Sequence, residues 1–259
     1  MNKVPYIDPL ENLEHFKIPQ QEPRYLPIVS ILVESRPELR ERLLRIINWH
    51  RKWFRFHREI VVAFEDPQLP GVQYIHSKPV SEEWIRNWYS SVCIWGLNAL
   101  CDAPYALVWQ WDGFIVNPEQ WTDEFLKWDY LGGPGITGNW KKLPRFLESK
   151  IAGWKSPFPP NVDAIVGNGG FSLRSKKFLT ASTMLPQTGL SLSIEDLYLC
   201  IERRRELEGM GVRFAPVDLC YRFAKEGPYT YADDECFGFH SFAHFERVKR
   251  ILESKYLPD

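Results

Sequence analysis

An eight-residue apolar run, Leu26-Pro-Ile-Val-Ser-Ile-Leu-Val33, constrains this chain more than any other segment. It is short and rich in β-branched residues, the pattern of a buried strand. Ser35-Arg-Pro-Glu38 follows it, with a capping residue, an early proline and an acid in the first turn, which marks a helix start. Leu39, Leu43, Ile46 and Ile47 then fall on one helical stripe. Glu59-Ile-Val-Val-Ala-Phe64 supplies a second strand and Val72-Gln-Tyr-Ile75 a third. Strand, helix and strand at this spacing make a βαβ unit with a parallel sheet, so the chain is α/β.

Residues 1–25 carry Pro and Glu with little periodicity and read as an N-terminal arm; residues 26–259 read as a single domain, since no repeat, low-complexity tract or linker divides them. A helix is expected from Ser81-Glu-Glu83 through Trp84, Trp88, Val92, Trp95 and Leu97 to Ala103-Pro104. Tyr105-Ala-Leu-Val-Trp109 is a fourth strand and Phe114-Ile-Val116 another, followed by a helix around residues 121–128 and then Tyr130-Leu-Gly-Gly-Pro-Gly135. Residues 135–161 are irregular and read as a functional loop, whose Trp140, Trp154 and Phe158 suit either stacking on an acceptor or pinning the loop to the body. Ala164-Ile-Val166 leads into a Gly-rich loop, and a helix begins near Ser175. Glu195-Asp196 opens a helix that ends at Gly211, Val212-Arg-Phe-Ala-Pro216 is a further strand, and a basic helix closes the chain.

The formal net charge of −1 argues against a protein that neutralises nucleic-acid phosphates, so no nucleic-acid partner is expected. Eleven Trp among 259 residues suit a core, or a groove that stacks on sugar faces and bases. The five cysteines are an odd number without a Cys-x-x-Cys pair, which gives neither a zinc site nor a disulfide framework and reads as reduced, buried thiols. The first residues lack the pattern of a signal peptide, and no apolar run reaches about 18 residues, so no transmembrane segment and a cytoplasmic location are expected.

Four motifs carry chemistry. Gln110-Trp-Asp-Gly113 leaves the end of a buried strand, where an α/β sheet presents side chains to its ligand crevice. Asp112 there can hold a hard divalent cation that neutralises a diphosphate, or the Asp-Gly pair can be a simple hairpin turn. Gly167-Asn-Gly-Gly170 permits positive φ and leaves bare backbone for a ligand, with Asn168 offering an amide; a tight structural loop is the alternative. Glu195-Asp196 at a helix start suits either helix capping or a general base, and spacing does not settle which acid faces inward. His240 in Phe237-Gly-Phe-His-Ser241 is a metal ligand or a satisfied structural histidine, and Arg174 and Arg213 suit phosphates or salt bridges.

In its order of strand-end Asp, Gly-rich loop, acidic pair and late His, the chain resembles GT-A-fold glycosyltransferases. It resembles more closely a little-characterised family of GT-A-like domains found in bacterial and viral surface-glycan contexts, through Leu107-Val-Trp-Gln-Trp-Asp-Gly-Phe114, Trp128-Asp-Tyr-Leu-Gly-Gly-Pro134, Val166-Gly-Asn-Gly-Gly-Phe-Ser-Leu-Arg-Ser175, Glu195-Asp196, Arg213-Phe-Ala-Pro216 and Phe237-Gly-Phe-His240. The resemblance implies a GT-A-like, mixed, mainly parallel sheet flanked by helices. It implies a nucleotide-sugar donor, a glycan or other hydroxyl acceptor, and Mn²⁺ or Mg²⁺. Asp112 matches the last carboxylate of an Asp-x-Asp metal motif whose first position here is Gln110, and His240 matches the late metal ligand. Gly169 and Gly170 match the loop beside donor sugar and acceptor, and Asp196, with Glu195 beside it, matches the catalytic base of inverting members. Gln110, Trp111, Asn168, Gly169, Gly170 and Arg174 are the expected substrate-binding residues. The nucleotide is expected by the end of the first strand, residues 33–35, where no motif marks one residue.

Two rivals remain at this level. A sugar nucleotidyltransferase would place a Gly-rich phosphate loop after the first strand, where this chain reads Val33-Glu-Ser-Arg36. A non-catalytic nucleotide- or glycan-binding module would keep the fold without turnover, and Gln110 in place of a carboxylate favours it.

Overall fold

The computed structural model describes residues 7–134, 167–189, 192, 194–226 and 235–257. The βαβ start is as expected. Strand β1 (Arg24–Val33) is followed by a 3₁₀ turn, Pro37–Leu39, and helix α1 (Arg40–Trp53), which returns the chain to β2 (Phe54–Ala63) beside β1. Strand β3 (Gln73–His76) extends the sheet, and β4 (Tyr105–Trp109) pairs in parallel on the other side of β1. Strand β7 (Gly167–Ser175) then runs antiparallel between β4 and β6 (Tyr130–Pro134). The order among the described residues is β3-β2-β1-β4-β7-β6, a mixed sheet whose first four strands are parallel. Beside it lies a small sheet of β5 (Gly113–Ile115), β9 (Gly238–His240) and β8 (Ala224–Lys225).

Burial on both faces explains the continuous apolar run of β1. Ile28 and Leu32 join the cluster under α1 and α8 (Phe245–Tyr256), whereas Val29, Ile31 and Val33 join the cluster on the opposite face. The second face is covered by α2 (Ile85–Ser91), α3 (Leu97–Leu100), α4 (Lys176–Thr183), α5 (Glu195–Leu197) and α6 (Arg204–Gly209). The N-terminal arm adds to the first: Leu10, Leu13 and Phe16 are buried, and Phe16 packs its ring on Trp49 and Tyr256. All five cysteines are free and buried. No helix of the described residues is long and apolar enough to cross a membrane.

Several expectations change. The Gly-rich segment is no loop: from residue 167 onward it is strand β7, every residue of which is buried. The helix expected around 121–128 is a 3₁₀ turn, Asp123–Lys127, capped by Thr122; the eight residues between buried Trp121 and the start of β6 are a short span for a helix of its own. Residues 212–216 give one bridge, Phe214 to Tyr130, before Pro216 caps α7 (Val217–Phe223). The helix after Ser81 and the one after Glu195 are both interrupted by π turns, Val92–Gly96 and Tyr198–Glu202. The expected strand 164–166, the loop 135–161 and its aromatic residues Trp140, Trp154 and Phe158 lie outside the described residues.

Candidate active site

Strands β1 and β4 end at the same edge of the sheet, and a cleft of about 990 Å³ opens there. This is where an open parallel sheet presents its ligand crevice. The segment that leaves β1 (Val33 to Glu38), α2, Gln110, Asn168, Gly170, Glu195, Asp196 and His240 line it.

The small sheet brings His240 to Asp112. Gly113 pairs with His240 across β5 and β9, and the Ser241 amide donates to the Asp112 carbonyl at 2.9 Å. Ser241 pays for this with a φ of +100°, a strained value for a residue with a side chain. His240 Nε2 lies 3.4 Å from Asp112 Oδ1 and 3.1 Å from Gln110 Oε1, while Nδ1 lies 3.0 Å from Glu226 Oε2. Burial disfavours the imidazolium, yet Glu226 and Asp112, by charge and by hydrogen bonding, hold His240 well above an ordinary histidine. Burial pushes Asp112 upward, but the hydrogen bond and charge of His240, with Arg36 behind, bring it below the usual carboxylate range.

Strand β7 explains its glycines by close approach rather than by positive φ. A Cβ on Gly170 would lie 2.2 Å from His240 Nε2 and 2.5 Å from Gln110 Oε1, and one on Gly169 would lie 1.5 Å from Glu195 Oε1. Asn168 turns its amide oxygen back onto the Gly170 and Phe171 amides, at 2.7 and 3.2 Å. Arg174 does not line the cleft. It is fully buried, donating to Ser172 Oγ, to the carbonyls of Cys93 and Gly169, and to Glu195 Oε1 at 3.1 Å.

That ion pair separates the roles of the two acids. Both line the cleft, but Glu195 is fixed between Arg174 and Gly169, whereas Asp196 accepts from the Leu197 amide at 2.8 Å. Burial, then the charge of Glu195, raises Asp196 to about 7. Trp111 is buried: Arg36 lies 4.8 Å above its ring and Phe242 stacks at 6.3 Å. It steadies the turn between β4 and β5.

Three residues escaped the sequence reading. Glu34, at the end of β1, accepts from the Ser35 and Arg36 amides and forms a two-pronged pair with the Arg36 guanidinium at 2.8 Å. The acid-x-base pattern directly after the first strand is the signal that would have found Glu34 and Arg36. Glu226 stands 14 positions from His240, and no local pattern announces it.

Over residues 81–240 the chain matches the model of a family described as protein of unknown function (DUF5672). No curated protein matches it. Among solved structures it is similar to the galactosyltransferase LgtC in complex with donor and acceptor sugar analogs, at 10% identity over 87% of this chain and 95% of that one, with a TM-score of 0.45. It is also similar to a glycosyltransferase involved in the glycosylation of the major capsid of PBCV-1, at 10% identity over 86% and 98%, TM-score 0.44. A third is glucosyl-3-phosphoglycerate synthase from Mycobacterium tuberculosis in complex with phosphoglyceric acid, at 14% identity over 90% and 81%, TM-score 0.40. Likenesses this distant concern the path of the chain and carry no assignment of chemistry. The family match spans half of the chain and more, running from the start of the α2 region through Asp112, β7 and Asp196 to His240, and the chain belongs to the DUF5672 family.

Proposed function

We propose that this protein is a glycosyltransferase that moves a sugar from a nucleotide-sugar donor to a hydroxyl acceptor, with inversion at the anomeric carbon. One observation carries the reading: Gln110 and Asp112 lie within 3.4 Å of His240 Nε2, and Gln110 and His240 line the same cleft as the half-buried Asp196.

Among the described residues no three of His, Cys, Asp and Glu gather as a metal site. The donor set nevertheless fits a hard divalent cation. His240 turns Nε2 toward the oxygens of Asp112 and Gln110, where a cation would take the place of the imidazolium proton, and Glu226 on Nδ1 is the carboxylate partner that such a ligand ordinarily has. Asp112, His240 and Gln110 would hold Mn²⁺ or Mg²⁺, with donor phosphate oxygens completing the shell. Bound there, the cation supplies positive charge to the departing diphosphate.

The residues of the chain do the remaining work. Asp196, ionised, takes the proton of the acceptor hydroxyl. The acceptor oxygen forms its bond to the anomeric carbon as the bond to the diphosphate oxygen breaks, and the nucleoside diphosphate leaves with that electron pair. Glu195, held by Arg174, keeps the start of α5 in place. The loop after β1 speaks against sugar nucleotidyl transfer, because Glu34 Oε1 already occupies the Ser35 and Arg36 amides that a phosphate loop would offer. A binding module without turnover is favoured by a single feature, the lone carboxylate of the Gln110-to-Asp112 motif.

The test is release of nucleoside diphosphate from a panel of nucleotide sugars, with and without Mn²⁺. Metal-dependent release from one donor, lost in Asp112→Ala, is the expected result; donor binding without release from any of them would leave the binding module.

A further inference from the structure

Helix α2 lines the cleft with Ile85, Arg86, Trp88, Tyr89 and Ser90. Ser90 is only 1% exposed, yet its Oγ has no hydrogen-bond partner among the described residues. Buried hydroxyls are rarely left so. A serine inside a helix ordinarily returns its hydroxyl to the carbonyl four residues back, which here is that of Arg86. Ser182, on α4, is satisfied in a related way, its hydroxyl lying 2.9 Å from the carbonyl of Leu179, three residues back, and 2.7 Å from that of Ile94. Ser90 is not. The neighbouring Tyr89 hydroxyl is also buried without a hydrogen bond and has the Cys93 thiol beside it. Two residues after Ser90 the helix widens into the π turn Val92–Gly96, a local irregularity that tends to accompany functional sites.

A hydroxyl is both a donor and an acceptor, and among the groups of a nucleotide sugar it is the ring hydroxyls that can satisfy both capacities at once. A carboxylate or phosphate would use only the donor. We infer that Ser90 is a substrate-contacting residue that recognises a sugar hydroxyl of the bound nucleotide sugar. This rests on the proposed glycosyl-transfer reading and extends it, since neither the Asp112 and His240 cluster nor Asp196 includes α2. Two rings of the same ligand carry such hydroxyls, the ribose of the nucleotide and the transferred sugar.

The test is calorimetric titration of wild type and Ser90→Ala, in Mn²⁺, with uridine, guanosine and cytidine diphosphates and with the glucose conjugate of each, beside thermal unfolding of both proteins. Ser90→Ala is expected to bind roughly fivefold more weakly, the value of one hydrogen bond. Its Tm should stay level or rise, because the alanine no longer buries an unsatisfied hydroxyl. Equal weakening toward diphosphate and conjugate assigns the hydroxyl to ribose, and weakening confined to the conjugate assigns it to the transferred sugar. Affinity of Ser90→Ala within twofold of wild type for every ligand that wild type binds overturns the Ser90 contact and leaves glycosyl transfer standing. A wild-type protein that binds none of these ligands overturns both.

Discussion

Glu195 fills the space that a side chain at position 169 would need: a Cβ on Gly169 would fall 1.5 Å from Glu195 Oε1. The glutamate has little freedom to withdraw, because Oε1 also accepts from the buried Arg174 guanidinium at 3.1 Å. Gly169→Ala is therefore expected to lose ~1–3 kcal/mol of stability, the range for overpacking a filled interior, with catalytic activity falling alongside. Gly209, with nothing within 4 Å of its built Cβ, is the control, and Gly209→Ala should unfold at the urea concentration of wild type or slightly above.

The Arg174 and Glu195 pair is enclosed on both sides, so removing one partner strands the other. Arg174→Met should cost about 3–5 kcal/mol, read from urea unfolding. Adding Glu195→Leu should return part of that loss, since no charge is then left buried. A double variant no more stable than Arg174→Met would show that the pair is not the source of the cost.

Asp196 predicts a pH limb. Burial and the Glu195 charge lift its carboxyl to about 7, and a base works ionised, so donor turnover should rise as pH rises through about 7 and level above it. Its folded-state pKa lies above the unfolded value, so the fold disfavours the ionised form. The resulting penalty is absent below about pH 4, grows between about pH 4 and 7, and is complete above. In metal-free buffer, Asp196→Asn should gain stability over wild type across that window; a difference that is constant with pH would contradict the shift.

Much of the frame was legible because burial on two faces writes itself into sequence. Residues 105–109 were read as a strand and are β4 to the residue. Asp112 follows from that strand end. The misreading of residues 167–170 has a definite cause. Glycine is depleted in strands and enriched in loops, so three in four positions read as a turn. Here Gly167 makes room for Tyr130, Gly169 for Glu195, and Gly170 for His240 and Gln110, side chains from distant parts of the chain, and no local pattern records that. The tether on Glu195 has the same character, because it comes from Arg174 on β7. Glu226 is legible only once β8 and β9 lie side by side.

Glu226 gives the fourth prediction. With its carboxylate on His240 Nδ1 at 3.0 Å, it turns Nε2 toward Asp112 and Gln110. Glu226→Gln is expected to weaken Mn²⁺ binding by about 10–100-fold in calorimetry or by electron paramagnetic resonance, the usual effect of losing an outer carboxylate partner. Unchanged Mn²⁺ affinity would remove Glu226 from the cation site.

The most direct measurement of the central claim is donor turnover by wild type and Asp196→Asn, with donor affinity measured on the same samples. Glycosyl transfer by this site predicts that wild type releases nucleoside diphosphate from one nucleotide sugar. Asp196→Asn should bind that donor as wild type does and transfer its sugar to the acceptor at least about 100-fold more slowly, as loss of a general base requires. Full activity in Asp196→Asn, or binding by wild type without turnover on any donor and acceptor pair, would contradict it.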